Sequence, residues 1–274
     1  METVNKNILV PWDFTPSSVY ALEYAIKIAK LRNYNISLLH IIKNSKEETK
    51  SHEKLKEVAE ETQNKTGIST SVLIQTGDVL TTISELASLP DTDLVVMKTD
   101  GVKGSQKYVG SRAVKIMRGS KSPFIVVQKS PEEHLFQKIV FPIDYRSENK
   151  EVVSALLNLS KFYNAKIYIF KTHSSDKSFK KTIANNVSFA KMMLESKHID
   201  FEVTEGAGLK DYSLEVNEYA HSIGADLIVV QLIRNLTLTK FLMGVKEQNI
   251  VANSYKIPVM VVNPKEIRVY AGFK

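Results

Sequence analysis

The 274-residue sequence contains no cysteine. That absence excludes disulfide scaffolds, thiolate zinc sites, iron–sulfur clusters and cysteine nucleophiles together, and it fits a reducing, cytoplasmic setting. No run of about 18 apolar residues occurs, so no membrane-spanning helix is expected. The first residues, Met1 to Asn7, lead directly into a short strand-like run and lack the apolar core of a secretion signal. The six histidines, at 40, 52, 134, 173, 198 and 221, show no metal-ligand spacing, and no metal site is expected. Also missing are a Gly-x4-Gly-Lys-Ser/Thr phosphate loop, a Gly-x-Gly-x-x-Gly turn after the first strand and a Gly-x-Ser-x-Gly elbow. No residue set points to catalysis, and the expectation is a protein that is not an enzyme, weak nucleotide hydrolysis aside.

What is present describes a chain able to bury a core. Hydrophobic residues make up 43% and charged residues 24%, and the length allows one large domain or two small ones. The net charge of +7 comes from 37 basic against 30 acidic residues scattered among one another. Lys180-Lys181 and Lys103 to Lys107 are short clusters of a solvated surface rather than a phosphate-tracking arm. Tyr108, Tyr145 and Tyr255 form no stacking pattern, so nucleic acid is not an expected partner.

The chain repeats itself once. Lys6-Asn7-Ile8-Leu9-Val10-Pro11-Trp12-Asp13 returns as Gln137-Lys138-Ile139-Val140-Phe141-Pro142-Ile143-Asp144. Asp93-Leu94-Val95-Val96 returns as Asp226-Leu227-Ile228-Val229, Gly110 as Gly244, and Pro123-Phe124-Ile125-Val126-Val127 as Pro258-Val259-Met260-Val261-Val262. The landmarks keep their order with little drift in spacing, which identifies two homologous halves, residues 1–130 and 135–274. The seam is the polar, proline-containing segment from Gln128 to His134.

Within the first half, strands are expected at Ile8–Val10, Ile36–Ile41, Ser71–Ile74, Leu94–Met97 and Phe124–Val127. Leu22, Ala25, Ile26 and Ala29 fall on one stripe of a helix that Thr15 or Ser17 is expected to cap. Leu55, Val58 and Thr62 mark a second helix, Val79, Ile83, Leu86 and Ala87 a third, and Val109, Ala113, Ile116 and Met117 a fourth. Val216, Tyr219, Ala220 and Ile223 repeat the pattern in the second half. Strand–helix alternation with strands apolar on both sides means an α/β fold, a doubly wound parallel sheet of five strands in each half. Ligands of such sheets bind beyond the carboxyl ends of the strands.

Those ends carry chemistry. The first strand runs into Pro11-Trp12-Asp13, whose carboxylate suits hydrogen bonds from a ribose or base and equally suits a turn. The fourth ends at Met97-Lys98-Thr99-Asp100-Gly101, with Gly104 beyond it and Gly110-Ser111 opening the next helix. Glycine amides and a helix start can hold phosphate oxygens, and Lys98 or Lys103 adds a charge.

The duplicated Pro-x-Asp opening, the Asp-Leu-Val-Val-Met strand and the Gly-Ser before a helix ending in Ser-Pro-Phe-Ile-Val-Val resemble the universal stress protein family, once per half. The resemblance implies two flavodoxin-like units of the adenine nucleotide alpha hydrolase type. In one branch it implies ATP, with magnesium, bound through a Gly-x2-Gly-x9-Gly-Ser/Thr motif. Carried onto this sequence, the adenosine contacts are Pro11, Asp13, Ile41 and Met97, and the phosphate contacts are Lys98, Gly101, Gly110 and Ser111. The motif is altered: Lys98 stands at the first glycine, and Gly101 to Gly110 is one residue short. In the second half Gln231, Arg234 and Val245 replace the motif residues, so that half is expected to be degenerate. The resemblance thus implies a stress-response binding module for ATP or another adenine nucleotide, the alternative being a scaffold acting through protein–protein contacts. It also implies an intrachain pseudo-dimer joined through Phe124–Val127 and Val259–Val262, with homo-oligomers open. The alternating tail from Ile267 to Phe273 is expected to extend an edge or cover the partner repeat.

Overall fold

The structure, a computed structural model, describes residues 6–99, 115–117, 120–146, 149–232 and 249–263. In the first half the elements run β1 (Asn7–Pro11), α1 (Ser18–Arg32), β2 (Asn35–Ile42), α2 (Glu48–Thr66), β3 (Thr70–Thr76), α3 (Val79–Leu86), β4 (Thr92–Lys98) and β5 (Phe124–Val127). The second half holds β6 (Lys138–Ile143), α4 (Asn149–Tyr163), β7 (Lys166–Lys171), α5 (Lys177–Glu195), β8 (Phe201–Glu205), α6 (Tyr212–Ser222), β9 (Leu227–Gln231) and β10 (Val259–Val262). The expected helix at Val109 and Ala113 and the tail at Ile267–Phe273 lie outside the described residues. Ile116 and Met117, from the same expectation, are buried.

All ten strands join one sheet in the order β3-β2-β1-β4-β5-β10-β9-β6-β7-β8. Neighbours run parallel except β5 and β10, which pair antiparallel with Phe124 opposite Val261, Ile125 opposite Met260 and Val126 opposite Val259. Ile125 and Met260 are equivalent repeat positions, so the pairing is self-complementary, as in a two-fold dimer.

Helices cover both faces because the central strands are apolar on both. β5 is buried along its whole length, and β1 and β4 alternate their side chains between two cores. Ile8, Val10, Leu94 and Val96 meet α1 and α2, while Leu9 and Val95 meet the face covered by α3. On α1 the buried set is Ser18, Ala21, Leu22, Tyr24, Ala25, Ile28 and Ala29, so Ile28 takes the core position expected of Ile26, which is half-buried. α1 stops where Asn33 turns left-handed at φ 55° and its N–H bonds Ala29 O. Asp78, Asp176 and Asp211 each cap the helix that follows them through backbone N–H groups. Val79, expected on the apolar stripe of α3, is exposed because it sits in the first turn beyond that cap.

The polar seam is anchored rather than loose. Lys27 Nζ donates to Glu133 O at 2.9 Å and Gln128 Nε2 to Asn253 O at 3.1 Å. Phe136, fully buried at the end of the seam, packs between Tyr24 of α1 at 6.4 Å and Tyr163 of α4 at 5.0 Å. One ring thus ties both halves. Phe136→Ala should cost about 3–5 kcal/mol, the range for emptying a buried phenyl site. Chemical denaturation checks it, and a loss below about 1 kcal/mol would show that the seam does not hold the halves together.

Candidate functional site

The loop after β1 wraps around a single carboxylate. Asp13 Oδ1 accepts from Thr15 N at 3.1 Å, Thr15 Oγ1 at 2.6 Å and Ser18 Oγ at 2.6 Å. Those bonds form an Asx turn that sets the entry of α1. The expected side-chain cap is therefore not made: Ser17 precedes the helix without bonding its N–H groups, and the Thr15 hydroxyl is turned to Asp13 instead.

Across the sheet, β4 delivers Lys98. β1 pairs with β4 through Leu9 and Val95, which brings the ends of both strands side by side. Lys98 shares the side-chain parity of Leu94 and Val96, the α1 side of the sheet. Its Nζ lies 3.0 Å from Asp13 Oδ2 and donates to Thr15 Oγ1 at 2.7 Å and Ser17 Oγ at 3.0 Å. The lysine side chain is only 14% exposed, whereas that of Asp13 remains 52% exposed. Partial burial pushes the Asp13 carboxyl up, but hydrogen bonds from Ser18, Thr15 and Lys98 outweigh it and hold the group well below the usual carboxylate range. The result is an ionised, accessible carboxylate with an ammonium at its side.

The remaining expected contacts take distinct places. Pro11 ends β1 opposite Leu39 of β2. Ile41 and Met97 are half-buried and pack against the second core, on the α3 face. Asp13 and Lys98 are thus brought together, while Ile41 and Met97 face the other side of the sheet. Gly101, Gly110 and Ser111 lie outside the described residues. Sequence reasoning missed the hydroxyls of Thr15, Ser17 and Ser18 as partners, although the Asp-x-Thr spacing signals the turn. His40 lies within β2, its Nδ1 2.8 Å from Trp12 O and its ring edge-on to Phe14 at 4.7 Å.

The equivalent place in the second half is closed locally. Asp144 is buried, its Oδ2 is 2.6 Å from Arg146 Nε, and Arg146 N donates to its Oδ1 at 2.9 Å. Asn186 Nδ2 bonds both Asp144 O at 2.9 Å and Arg146 O at 2.8 Å, which fixes the loop. Gln231, at the position of Lys98, is buried at the end of β9. Arg234, Gly244 and Val245 lie outside the described residues. Among the described residues, no group of three or more His, Asp or Glu side chains is placed to hold a metal ion.

Acid should loosen the first loop. The carboxyl of Asp13 sits lower in the folded chain than in the unfolded one, so its contribution is present above pH about 4 and fades as pH falls. Being half exposed, it supplies about 1 kcal/mol or less. Urea melts at pH 7 and pH 3 should show a smaller stability gap for Asp13→Asn than for the unaltered protein. An unchanged gap would remove Asp13 from the acid response.

Comparison with known proteins follows the same division. Residues 5–128 match the family model described as "Universal stress protein family". The curated proteins yield no match. Among solved structures, a universal stress protein from Archaeoglobus fulgidus DSM 4304 is similar over 95% of this chain and 97% of its own, at 18% identity and TM-score 0.74. A putative universal stress protein from Pseudomonas aeruginosa UCBPP-PA14 is similar over 95% and 94%, at 17% identity and TM-score 0.69. A universal stress protein from Archaeoglobus fulgidus, solved in complex with dAMP, is similar over 48% of this chain and 99% of its own, at 13% identity and TM-score 0.37. The first half of the chain, with its Pro-x-Asp strand end and flavodoxin-like fold, belongs to the universal stress protein family, and the fold likeness continues through the second half.

Proposed function

We propose that the chain is a stress-response binding module, not an enzyme, whose first repeat takes an adenine nucleotide at the carboxyl ends of β1 and β4. The supporting observation is the pairing of an ionised, half-exposed Asp13 with Lys98 at 3.0 Å on adjacent strand ends. A nucleotide carries both complements. Ribose hydroxyls donate to a carboxylate, and phosphates attract an ammonium. Pro11, Ile41 and Met97 would flank the adenosine, and Gly101, Gly110 and Ser111 would add donors to the phosphates, which bring magnesium with them. The closed Asp144–Arg146 pair supports a structural role for the second repeat. The two repeats, joined by β5 and β10, then act as a dimer contained in one chain.

A specific observation favours the second reading, a scaffold working through protein contacts. Lys98 already satisfies the oxygens that a ligand would use. Calorimetric titration with ATP and magnesium separates the two. The nucleotide reading expects one ATP per chain and a loss of about tenfold or more for Asp13→Ala, the size of a charge-assisted hydrogen bond. No heat and no thermal stabilisation at millimolar ATP would overturn it in favour of the scaffold. Lys98→Gly identifies the lysine's role: weaker binding marks a phosphate ligand, tighter binding an internal competitor. Phosphate release above background in the same samples would overturn the non-enzymatic assignment.

A further inference from the structure

At the opposite end of β1 from Asp13, a cavity of about 530 Å3 opens between the two repeats. Its volume lies in the range of small-molecule sites. α1 and α4 form its walls, and the paired strands β5 and β10 its floor. The floor is aliphatic, with Ile125, Met260 and Val262, and Ile28, Leu94 and Leu159 continue the apolar lining from α1, β4 and α4. Met260 is adaptable in shape, and it sits at the centre of the strand pairing opposite Ile125.

The rim carries charge of predominantly one sign. Lys6, Arg32 and Lys121 line it against a single carboxylate, Asp93. That carboxylate is already engaged: Lys6 Nζ donates to its Oδ1 at 2.7 Å and Tyr34 OH to its Oδ2 at 2.7 Å. Burial pushes the Asp93 carboxyl up, yet the bonds from Lys6 and Tyr34 prevail and keep it ionised and low. Arg32 has no such partner. It donates to the neutral amide oxygen of Asn158, lies over the Phe162 ring at 4.4 Å, and its Nε is buried without an acceptor among the described residues. Lys121 is exposed, and its ammonium pairs with no carboxylate among the described residues. Neither Arg32 nor Lys121 forms a close ion pair among the described residues: Arg32 acts on Asp93 only at longer range, and its buried Nε lacks an acceptor that a ligand could supply. The Tyr163 phenol, pushed up to about 12 by burial, stays neutral and offers an O–H rather than a repelling anion.

We infer that this inter-repeat cavity binds a small apolar carboxylate, with its hydrophobic body on the Ile125–Met260 floor and its carboxylate held between Arg32 and Lys121. A neutral apolar molecule leaves the cations unmatched, and a polyanion has nothing to place on the aliphatic floor. Because both repeats contribute walls, the ligand ties α1 to α4 and stabilises the joined form. This site is separate from the Asp13 loop and does not depend on nucleotide binding.

The test uses the full chain without nucleotide, titrated with 4-phenylbutyrate by calorimetry and followed by thermal melting, with the neutral 4-phenylbutyramide in parallel. Saturable binding of one carboxylate per chain with a rise in Tm is expected. The amide should bind about tenfold or more weakly, and Lys121→Ala should weaken the carboxylate several-fold, as loss of a charge-assisted contact does. Ala155→Phe, on the cavity-facing side of α4, should abolish binding by filling the space. If that variant does not fold, Arg32→Gln, which retains a donor for Asn158, should weaken binding about tenfold. The inference is overturned by no saturable binding up to about 10 mM, by equal affinity for the amide, or by undiminished affinity in a folded Ala155→Phe or Arg32→Gln chain.

Discussion

The antiparallel pairing of β5 with β10 is the contact on which the rest of the arrangement depends. A parallel sheet of five strands with helices on both faces still has open edges, and an open apolar edge invites pairing with other chains. Here each half offers its edge to the other. Because the two strands run in opposite directions, the halves point their strand ends opposite ways, and the loops carrying Asp13 and Asp144 stand at opposite rims of the sheet. The same pairing sets α1 beside α4, gives Phe136 a ring from each half to pack on, and leaves the space between those helices.

The two repeats use the same acid for different ends. Asp144 meets a guanidinium only two residues along the chain and is buried with it. A pair made so locally exists wherever the loop is formed. Asp13 draws its cation from another strand, so the contact forms only when β1 and β4 are assembled, and half of the carboxylate still meets solvent. The two repeats thus share the acid and differ in the source of its counter-charge.

Much of this was legible in the sequence. The strands expected at Ile8–Val10, Ile36–Ile41, Ser71–Ile74 and Leu94–Met97 are present with an extra residue or two at their ends, and Phe124–Val127 matches β5. Buried parallel strands are short apolar runs between turn residues, a pattern that composition alone displays. Helix faces were less legible: on α1, Ile28 lies on the face shared with Ala21 and Ala25 and is fully buried, whereas Ile26 lies to one side and is half-buried. The site was half visible. Asp13 and Lys98 stood at readable strand ends, but nothing local says that two side chains so far apart in sequence touch; that follows from the strand order β1-β4. Phe136 was hidden for the same reason, an apolar residue just past a polar seam whose partners come from both halves.

The join between β5 and β10 also carries a cost in time. Synthesis proceeds from the N-terminus at roughly 5–20 residues per second, and β10 follows β5 by about half of the chain. The first half therefore leaves the ribosome with its four-residue edge bare for roughly 7 to 26 seconds before its partner strand exists. During that interval the strand lacks the partner that covers it in the finished fold. Joining two repeats in one polypeptide makes the meeting of the two edge strands an event within one molecule, independent of concentration.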